Sequence, residues 1–294
     1  MRLRKKADIS KLRSESRAHE IWRRLCKNKM AVFGLIFLAF ISLVAVFADV
    51  LAPYGYDDQD ISRMLLAPCK EFPLGTDNFG RDILSRMMYG ARVSLTCAVF
   101  ATAIAVAIGG TLGLIAGFYG GKVDNVIMRL VDIIGAVPNI LLAIAIAATL
   151  GGGLGSMYFA LSVGGIGGFA RMTRATVMSE REKEYIEAAR SNNASTLRIL
   201  IKYILPNVSA PLIVGITMSL AAGILGASTL SYIGLGAQPP TPEWGALLSV
   251  GRAYIRDYSY LVTAPGVVIM LTVFSLYSLG DGLRDALDPR LRGR

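Results

Sequence analysis

Five intervals of the chain contain no charged residue, and their lengths constrain the fold more than any other feature. Between Lys29 and Asp49 there are 19 residues without Asp, Glu, Lys or Arg, and between Arg92 and Lys122 there are 29. The intervals Asp132 to Arg171, Lys202 to Glu243 and Asp257 to Asp281 hold 38, 40 and 23. A helix needs about 20 mainly apolar residues to cross the hydrocarbon of a bilayer. Each interval is therefore long enough for one crossing, and the two longest are long enough for two. Only 18% of all residues are charged, against about a quarter in soluble domains.

"GGGLGS" (151–156) supplies a turn in the middle of the 38-residue interval, which predicts two crossings there. The 40-residue interval ends in "SYIGLGAQPPTP", where glycines and prolines disfavour a continuing helix, so it predicts one crossing followed by a loop. The total is six transmembrane helices in an all-α integral membrane protein. The apolar run Met30 to Ala48 is longer than the roughly 7–15 residues of a signal peptide, and no small-x-small cleavage site follows it. The first span, 30–52, is expected to remain in place.

Basic residues near span ends set orientation. Residues 1–29 hold eleven Lys/Arg against three Asp/Glu, and 171–202 hold seven against four. Residues 53–90 hold four against six, and 236–261 two against two. With six spans the basic segments fall on one side. This predicts a cytoplasmic tail at 1–29, an extracytoplasmic segment at 53–90, a five-helix core at 91–282 and a cytoplasmic tail at 283–294. The net charge of +10 then reflects membrane orientation, and no nucleic-acid partner is expected.

Several chemistries lack their residues. His19 is the only histidine and lies in the charged N-terminal tail, so neither histidine catalysis nor a histidine metal site within the membrane is expected. Cys26, Cys69 and Cys97 fall in separate segments without metal-ligand spacing or a disulfide pattern. "GFYGGKV" (117–123) imitates a phosphate-binding loop, but Val123 follows Lys122 and Ala116 stands where the first glycine belongs. "GGIGGFA" (164–170) has no preceding strand. No catalytic, cofactor or metal residue is assigned, and the chain is not expected to be an enzyme.

Inside the spans, Gly109, Gly113 and Gly117 recur every four residues and allow close helix approach, either within the chain or at a subunit interface. Arg129 and Asp132 are three apart and can pair, as boundary anchors or beside a transport path. Pro138 is expected to kink its helix.

The charged stretch "YIEAARSNNASTLRILIKYILPN" (185–207) interrupts this apolar chain. Residues 173–190 favour helix. Asn193 can close that helix in the left-handed conformation, and Ser195 can cap a second one. The second helix carries Leu197, Ile201 and Ile204 along one side and is expected to end at Pro206. The result is a rigid helical hairpin at 173–206. Ala188 and Ala189 beside Glu187 suit insertion into a groove of another protein, although an ordinary interhelical loop satisfies the same residues.

"EAA" (187–189), Asn193 and "ILP" (204–206) resemble the cytoplasmic coupling motif of ABC importer permeases. "LGTDNFGRDILSRMMYGARVSL" (74–95), "SYIGLGAQPPTPEWG" (231–245) and "GDGLRDALDPR" (280–290) are similar to one branch of that family, the second permease subunit of dipeptide, oligopeptide and nickel importers. The four motifs stand in the family's order, and the resemblance covers about residues 20–291. Asn193 replaces the usual glycine, while Tyr203 and Phe72 stand where histidine is common.

The resemblance implies the type I ABC importer permease fold and a place in the bacterial inner membrane. It also implies a homologous permease as heterodimer partner, two ATPase subunits that bind the ATP and magnesium, and an extracytoplasmic solute-binding protein. Tyr185, Glu187, Ala188, Ala189, Asn193, Leu197, Leu205 and Pro206 would form the ATPase-coupling site. Gly75, Thr76, Asp77, Gly80, Arg81, Asp82, Ser85 and Arg86 would form the extracytoplasmic family motif, as a local charge network or in contact with substrate. Di- or oligopeptides are the first substrate expectation, with nickel complexes and glutathione-like compounds as alternatives. A membrane scaffold that docks a different soluble protein is the reading from another class. A secondary transporter would need ionisable residues deep in the spans, and beyond the boundary pair the intervals have none.

Overall fold

The uncharged intervals become helices. The structure, a computed structural model, describes residues 17–287. The basic residues 1–16 and residues 288–294, with the end of the 280–290 motif, lie outside that range. Helix α1 (Arg17–Leu25) leads into α2 (Lys29–Val46), whose first amides are capped by Asn28 Oδ1 at 3.1 and 3.2 Å. A short α3 (Ala48–Leu51) precedes a non-helical segment that includes one 3₁₀ turn, Ile61–Arg63. Helix α4 (Ile83–Ala105) runs through a wide π turn, Val106–Gly110, into α5 (Thr111–Tyr119).

Next come α6 (Gly121–Gly135) and α7 (Asn139–Leu150), bent by 79° at residues 136–138. Pro138 breaks the helix here rather than kinking it, because its ring cannot continue the hydrogen-bond ladder. The turn at "GGGLGS" leads into α8 (Leu154–Arg181). After the hairpin, α11 (Leu205–Tyr232) is followed by a loop, the short α12 (Trp244–Arg252) and α13 (Tyr260–Leu287).

Four helical stretches are long and apolar enough to cross a membrane: Lys29–Val46, Ile83–Tyr119, Thr196–Tyr232 and Tyr260–Leu287. The bent pair α6–α7 would be a fifth. Helix α8 has 28 residues, enough to span, but glycines and then Arg171 and Arg174 dilute its apolarity. The expected six spans are compatible with this arrangement.

Close helix approach organises the bundle. A Cβ at Gly109 would lie 2.3 Å from Ile166 O, at Gly113 2.3 Å from Ala170 O, and at Gly117 2.8 Å from Arg174 O. The glycine stripe therefore packs α5 and the turn before it onto α8 within the chain, where dispersion over a close interface replaces a hydrophobic driving force. Gly113→Leu should force these helices apart and lower the melting temperature in detergent by several degrees. Gly110→Leu, at a position with open space around its Cβ, should leave it nearly unchanged.

Charged residues tie the hairpin end of the bundle together. Arg174 grips Asp124 with two bonds of 2.5 and 2.6 Å, and Arg181 Nη1 donates to Gly117 O (2.8 Å) and Phe118 O (3.2 Å) at the end of α5. A cation at the last carbonyls of a helix also complements the helix dipole. The expected Arg129–Asp132 pair does not form. Asp132 instead accepts from Arg171 Nη1 at 3.3 Å, because α8 brings that guanidinium across the helix interface.

Candidate functional site

The hairpin begins with a corner that the sequence pattern does not reveal. Residues 173–190 are not one helix: α8 ends at Arg181, Lys183 is extended (φ −78°, ψ 144°), and α9 (Glu184–Ser191) starts anew. Glu180 explains the corner. Its carboxylate is 6% exposed and accepts from Lys183 Nζ at 2.6 Å and from the Tyr185 hydroxyl. A buried carboxylate requires such partners, and reaching them folds the chain back by one turn. Asn207 Nδ2 donates to the Tyr185 oxygen at 3.2 Å and to Tyr203 O at 2.7 Å, joining the corner to α11.

Burial and the bond to Glu180 push the Tyr185 phenol up to about 12. A raised value in the fold means the contribution is complete below the ordinary value near 10 and is lost as pH climbs through about 12. Tyr185→Phe should therefore cost about 1 kcal/mol, the net worth of one hydrogen bond. The cost should be constant from pH 6 to 9 in thermal unfolding.

Asn193 closes α9 as the sequence predicts. It sits at φ +57°, with Asn193 N bonded to Arg190 O (2.9 Å) and Ala194 N to Ala189 O (3.1 Å). These two bonds are the paired closure of a Schellman motif. Gly at 193 should be tolerated or slightly stabilising, whereas Asn193→Val should cost about 1–2 kcal/mol, checked by thermal unfolding of the purified protein.

Ser195 then caps α10 (Thr196–Arg198) through Arg198 N at 3.4 Å. A π turn, Ile199–Ile204, continues directly into α11. Pro206 is therefore not a stop. It stands in the first turn of α11, where its missing N–H costs nothing. The wide turn also changes which residues share a face: Ile199 and Ile204 turn inward, while Leu197 and Ile201 are 66% and 57% exposed.

The hairpin has its own core. Ile186 and Ala189 pack with Val177, Ile199, Ile204, Val208 and Phe118. Ala189 thus belongs to the base of the hairpin, while Glu187, Ala188, Asn193, Leu197, Leu205 and Pro206 are exposed, with Tyr185 at its edge. A polar depression of about 450 Å³ beside α9 is bounded by Phe118, Arg181, Lys183, Glu187 and Arg190. The outward surface combines apolar knobs with a charged rim, the composition of a docking face.

The 74–95 motif forms a different construction. Thr76, Asp77, Arg81, Asp82, Ser85 and Arg86 are all buried. Asp77 Oδ1 accepts from Phe79 N (2.8 Å) and Arg81 N (3.1 Å), and Oδ2 accepts from Arg81 Nε (2.7 Å). Asp82 caps α4 through Ser85 N and Oγ, and Arg86 Nη1 donates to Tyr56 O at 2.7 Å. Thr76 Oγ1 bonds Arg63 O and Leu66 N. Gly75 and Gly80 take positive φ of 79° and 71°, and a Cβ at Gly80 would lie 1.8 Å from Asp60 O. These residues make a local network that knots 54–82 onto α4. Phe72, where histidine is common, is 3% exposed and fills that knot.

Sequence reasoning missed Glu180 and Asn207 at the hairpin. It also missed Glu243, which is fully buried and caps α12 while accepting from Ser94 Oγ at 2.8 Å. Only the "EWG" of the motif marks Glu243, and no periodicity marks the other two.

A helical membrane bundle with a hairpin between two of its long helices is the arrangement the resemblance to ABC-importer permease subunits implies. The chain belongs to the family described as binding-protein-dependent transport system inner membrane component, which matches residues 109–293. Residues 16–68 match the N-terminal transmembrane domain of oligopeptide transport permease C. The dipeptide transport system permease protein DppC of Haemophilus influenzae is 41% identical over 93% of this chain and 95% of its own length. That of Alkalihalophilus pseudofirmus is 45% identical over 93% and 90%. The glutathione transport system permease protein GsiD of Escherichia coli is 43% identical over 94% and 91%. Among solved structures, an inward-facing MetNI methionine ABC transporter chain aligns with a TM-score of 0.57 and 20% identity. It covers 70% of this chain and 98% of its own, which supports the fold alone.

Proposed function

We propose that this chain forms half of the translocation pathway of an ATP-driven importer of di- or oligopeptides in the bacterial inner membrane, and that α9 is the element an ATPase engages. The hairpin is the observation that carries this reading. It is closed by Asn193, anchored by Glu180 and Tyr185, and backed by its own core, so it moves as one body with α8 and α11. A rigid lever of this kind converts closure of an ATPase pair into rotation of the bundle. A flexible loop would not.

Glu187 and Ala188 form the exposed face of α9, Leu197, Leu205 and Pro206 are exposed beyond the turn, and Ala189 packs into the hairpin core. The hairpin side and both termini face the cytoplasm, in line with the basic excess of 1–29 and 171–202. The knot at 54–82 faces outward toward a solute-binding protein. ATP and magnesium belong to two partner ATPases, and a homologous permease supplies the other half of the pathway. Peptides are favoured by the dipeptide permeases among the relatives, and the glutathione permeases favour a glutathione-like tripeptide as the second reading.

The test is affinity purification of the tagged chain in mild detergent, with mass spectrometry of what accompanies it. A second permease and one or two ATPases support the reading. Recovery of the chain alone, with no ATPase even after cross-linking, would favour the scaffold.

A further inference from the structure

We infer that α1 lies in the headgroup layer on the hairpin side of the bilayer and binds anionic phospholipid there, with Trp22 beside the acyl chains and Lys27 and Lys29 on the phosphates. This goes beyond the importer reading and needs only that α2 and α13 span the membrane. Successive residues of a helix point about 100° apart, which gives the nine-residue α1 three faces. Ile21 and Leu25, one turn apart, pack with Leu279, Leu283 and Ala286 of α13 and with Ala31 of α2. His19 and Arg23 point away from that contact and are exposed. Trp22, on the flank between them, is 53% exposed.

The depth of α1 is fixed by what it packs on. Helix α2 starts at Lys29, and its cap Asn28 closes a tight corner after Leu25. That corner is seated on Gly282 of α13, where a Cβ would lie 2.3 Å from Ala31 Cβ and 3.1 Å from Leu25 Cδ1. The contact falls on the last two turns of α13, where Asp281, Arg284 and Asp285 end the uncharged run of that helix. Arg284 and Leu287 border a depression shared with Lys183 and Asn207, which puts α1 on the hairpin side. Charges begin at this level on both spans, so it marks the boundary between hydrocarbon and headgroups.

The chemistry at that level favours lipid as the occupant. Tryptophan concentrates at this boundary because its large apolar body and single N–H suit its two sides. Met30 and Phe33 at the start of α2 are exposed as well, so apolar surface lies on both sides of the corner. The cations complement phosphate. Lys27 and Lys29 are exposed and make no ion pair among the described residues, whereas Arg24 is held by Glu20 at 2.6 Å. The sequence ahead of α1 adds six Lys/Arg against two Asp/Glu. Each cation beside an anionic leaflet is worth about a fivefold gain in association.

The experiment places the protein with its co-purifying subunits in vesicles of phosphatidylcholine with a minor fraction of phosphatidylglycerol. Subtracting the emission of Trp22→Phe from that of the parent isolates Trp22 from every other tryptophan, including the buried Trp244. Brominated acyl chains then report contact by quenching. Chains brominated near the headgroup should quench Trp22 at least twofold more than chains brominated near the tip. Brominated phosphatidylglycerol should quench at least twofold more than the same fraction of brominated phosphatidylcholine. The double variant Lys27→Gln with Lys29→Gln should lose the second preference and keep the first. Quenching by aqueous acrylamide but by neither brominated lipid would overturn the inference by placing α1 in water. Resistance to acrylamide and lipid alike would overturn it in favour of a covering protein subunit. Equal quenching by the two headgroups in the parent, or an undiminished preference in the double variant, would remove the anionic-lipid assignment. None of these readouts depends on ATPase recovery or uptake, so they stand apart from the test of the importer reading.

Discussion

Glu187→Lys should reduce uptake and substrate-stimulated ATP hydrolysis about thirtyfold or more, while the protein still inserts and melts at the parent temperature. The fold has little stake in this side chain. Glu187 is exposed, and its carboxylate accepts no bond and makes no ion pair among the described residues. Its neighbours Ile186 and Ala189 carry the packing of α9 and are unaffected. The proposed partner, by contrast, would meet a reversed charge at the centre of a small docking face. Loss of one central residue commonly costs 2 kcal/mol or more, which is about a factor of thirty. Uptake assays and ATPase assays in reconstituted vesicles read this directly, with co-purification of the ATPase as the third measurement. Parent-level transport by this variant would remove α9 as the coupling element.

Asp77→Ala should destabilise the 54–82 knot without touching the hairpin. Asp77, Arg81 and Arg86 are 3%, 4% and 4% exposed. Removing the carboxylate leaves two buried guanidinium groups near each other and frees the amides of Phe79 and Arg81. Breaking a buried pair from one side typically costs about 3–5 kcal/mol. The segment then opens locally, held only in part by Tyr54 N on Ser85 Oγ and by the Tyr260 hydroxyl on Leu66 O. Limited trypsin digestion should show new cleavage at Arg63 and Lys70, and uptake should fall while ATPase co-purification persists. Asp77→Asn keeps an acceptor for the amides and should be milder. Unchanged protease resistance in the alanine variant would mean that the network does not hold the segment.

The two predictions separate two faces of one subunit. One variant damages a surface and spares the fold; the other damages a structural knot far from that surface. Their different readouts follow from burial: an exposed carboxylate with no internal partner acts only through what docks on it, and a buried one acts through the fold.

Much of this architecture was legible in the sequence because its determinants are local. The spacing of charges located the long helices, "GGGLGS" located a turn between them, and the left-handed preference of asparagine located the end of α9 at Asn193. The last two depend on residues within a turn or two of one another, and the first on an unbroken run of one segment. The four-residue spacing of Gly109, Gly113 and Gly117 also implied close helix approach, within the chain or at a subunit interface, and the structure places it within the chain against α8.

What only the tertiary structure decided involves choices between partners. Asp132 had Arg129 on its own helix but pairs with Arg171, because packing brings α8 nearer in the direction its side chain points. Residues 173–190 had the propensity for one helix but break after Arg181, because burying Glu180 requires Lys183 and Tyr185 to turn back toward it. Pro206 reads as a stop in sequence, yet the π turn before it delivers the chain in register to begin α11. Propensity acts within a few residues, whereas burying a charge binds distant parts of the chain, and where the two conflict the larger energy of the buried group prevails.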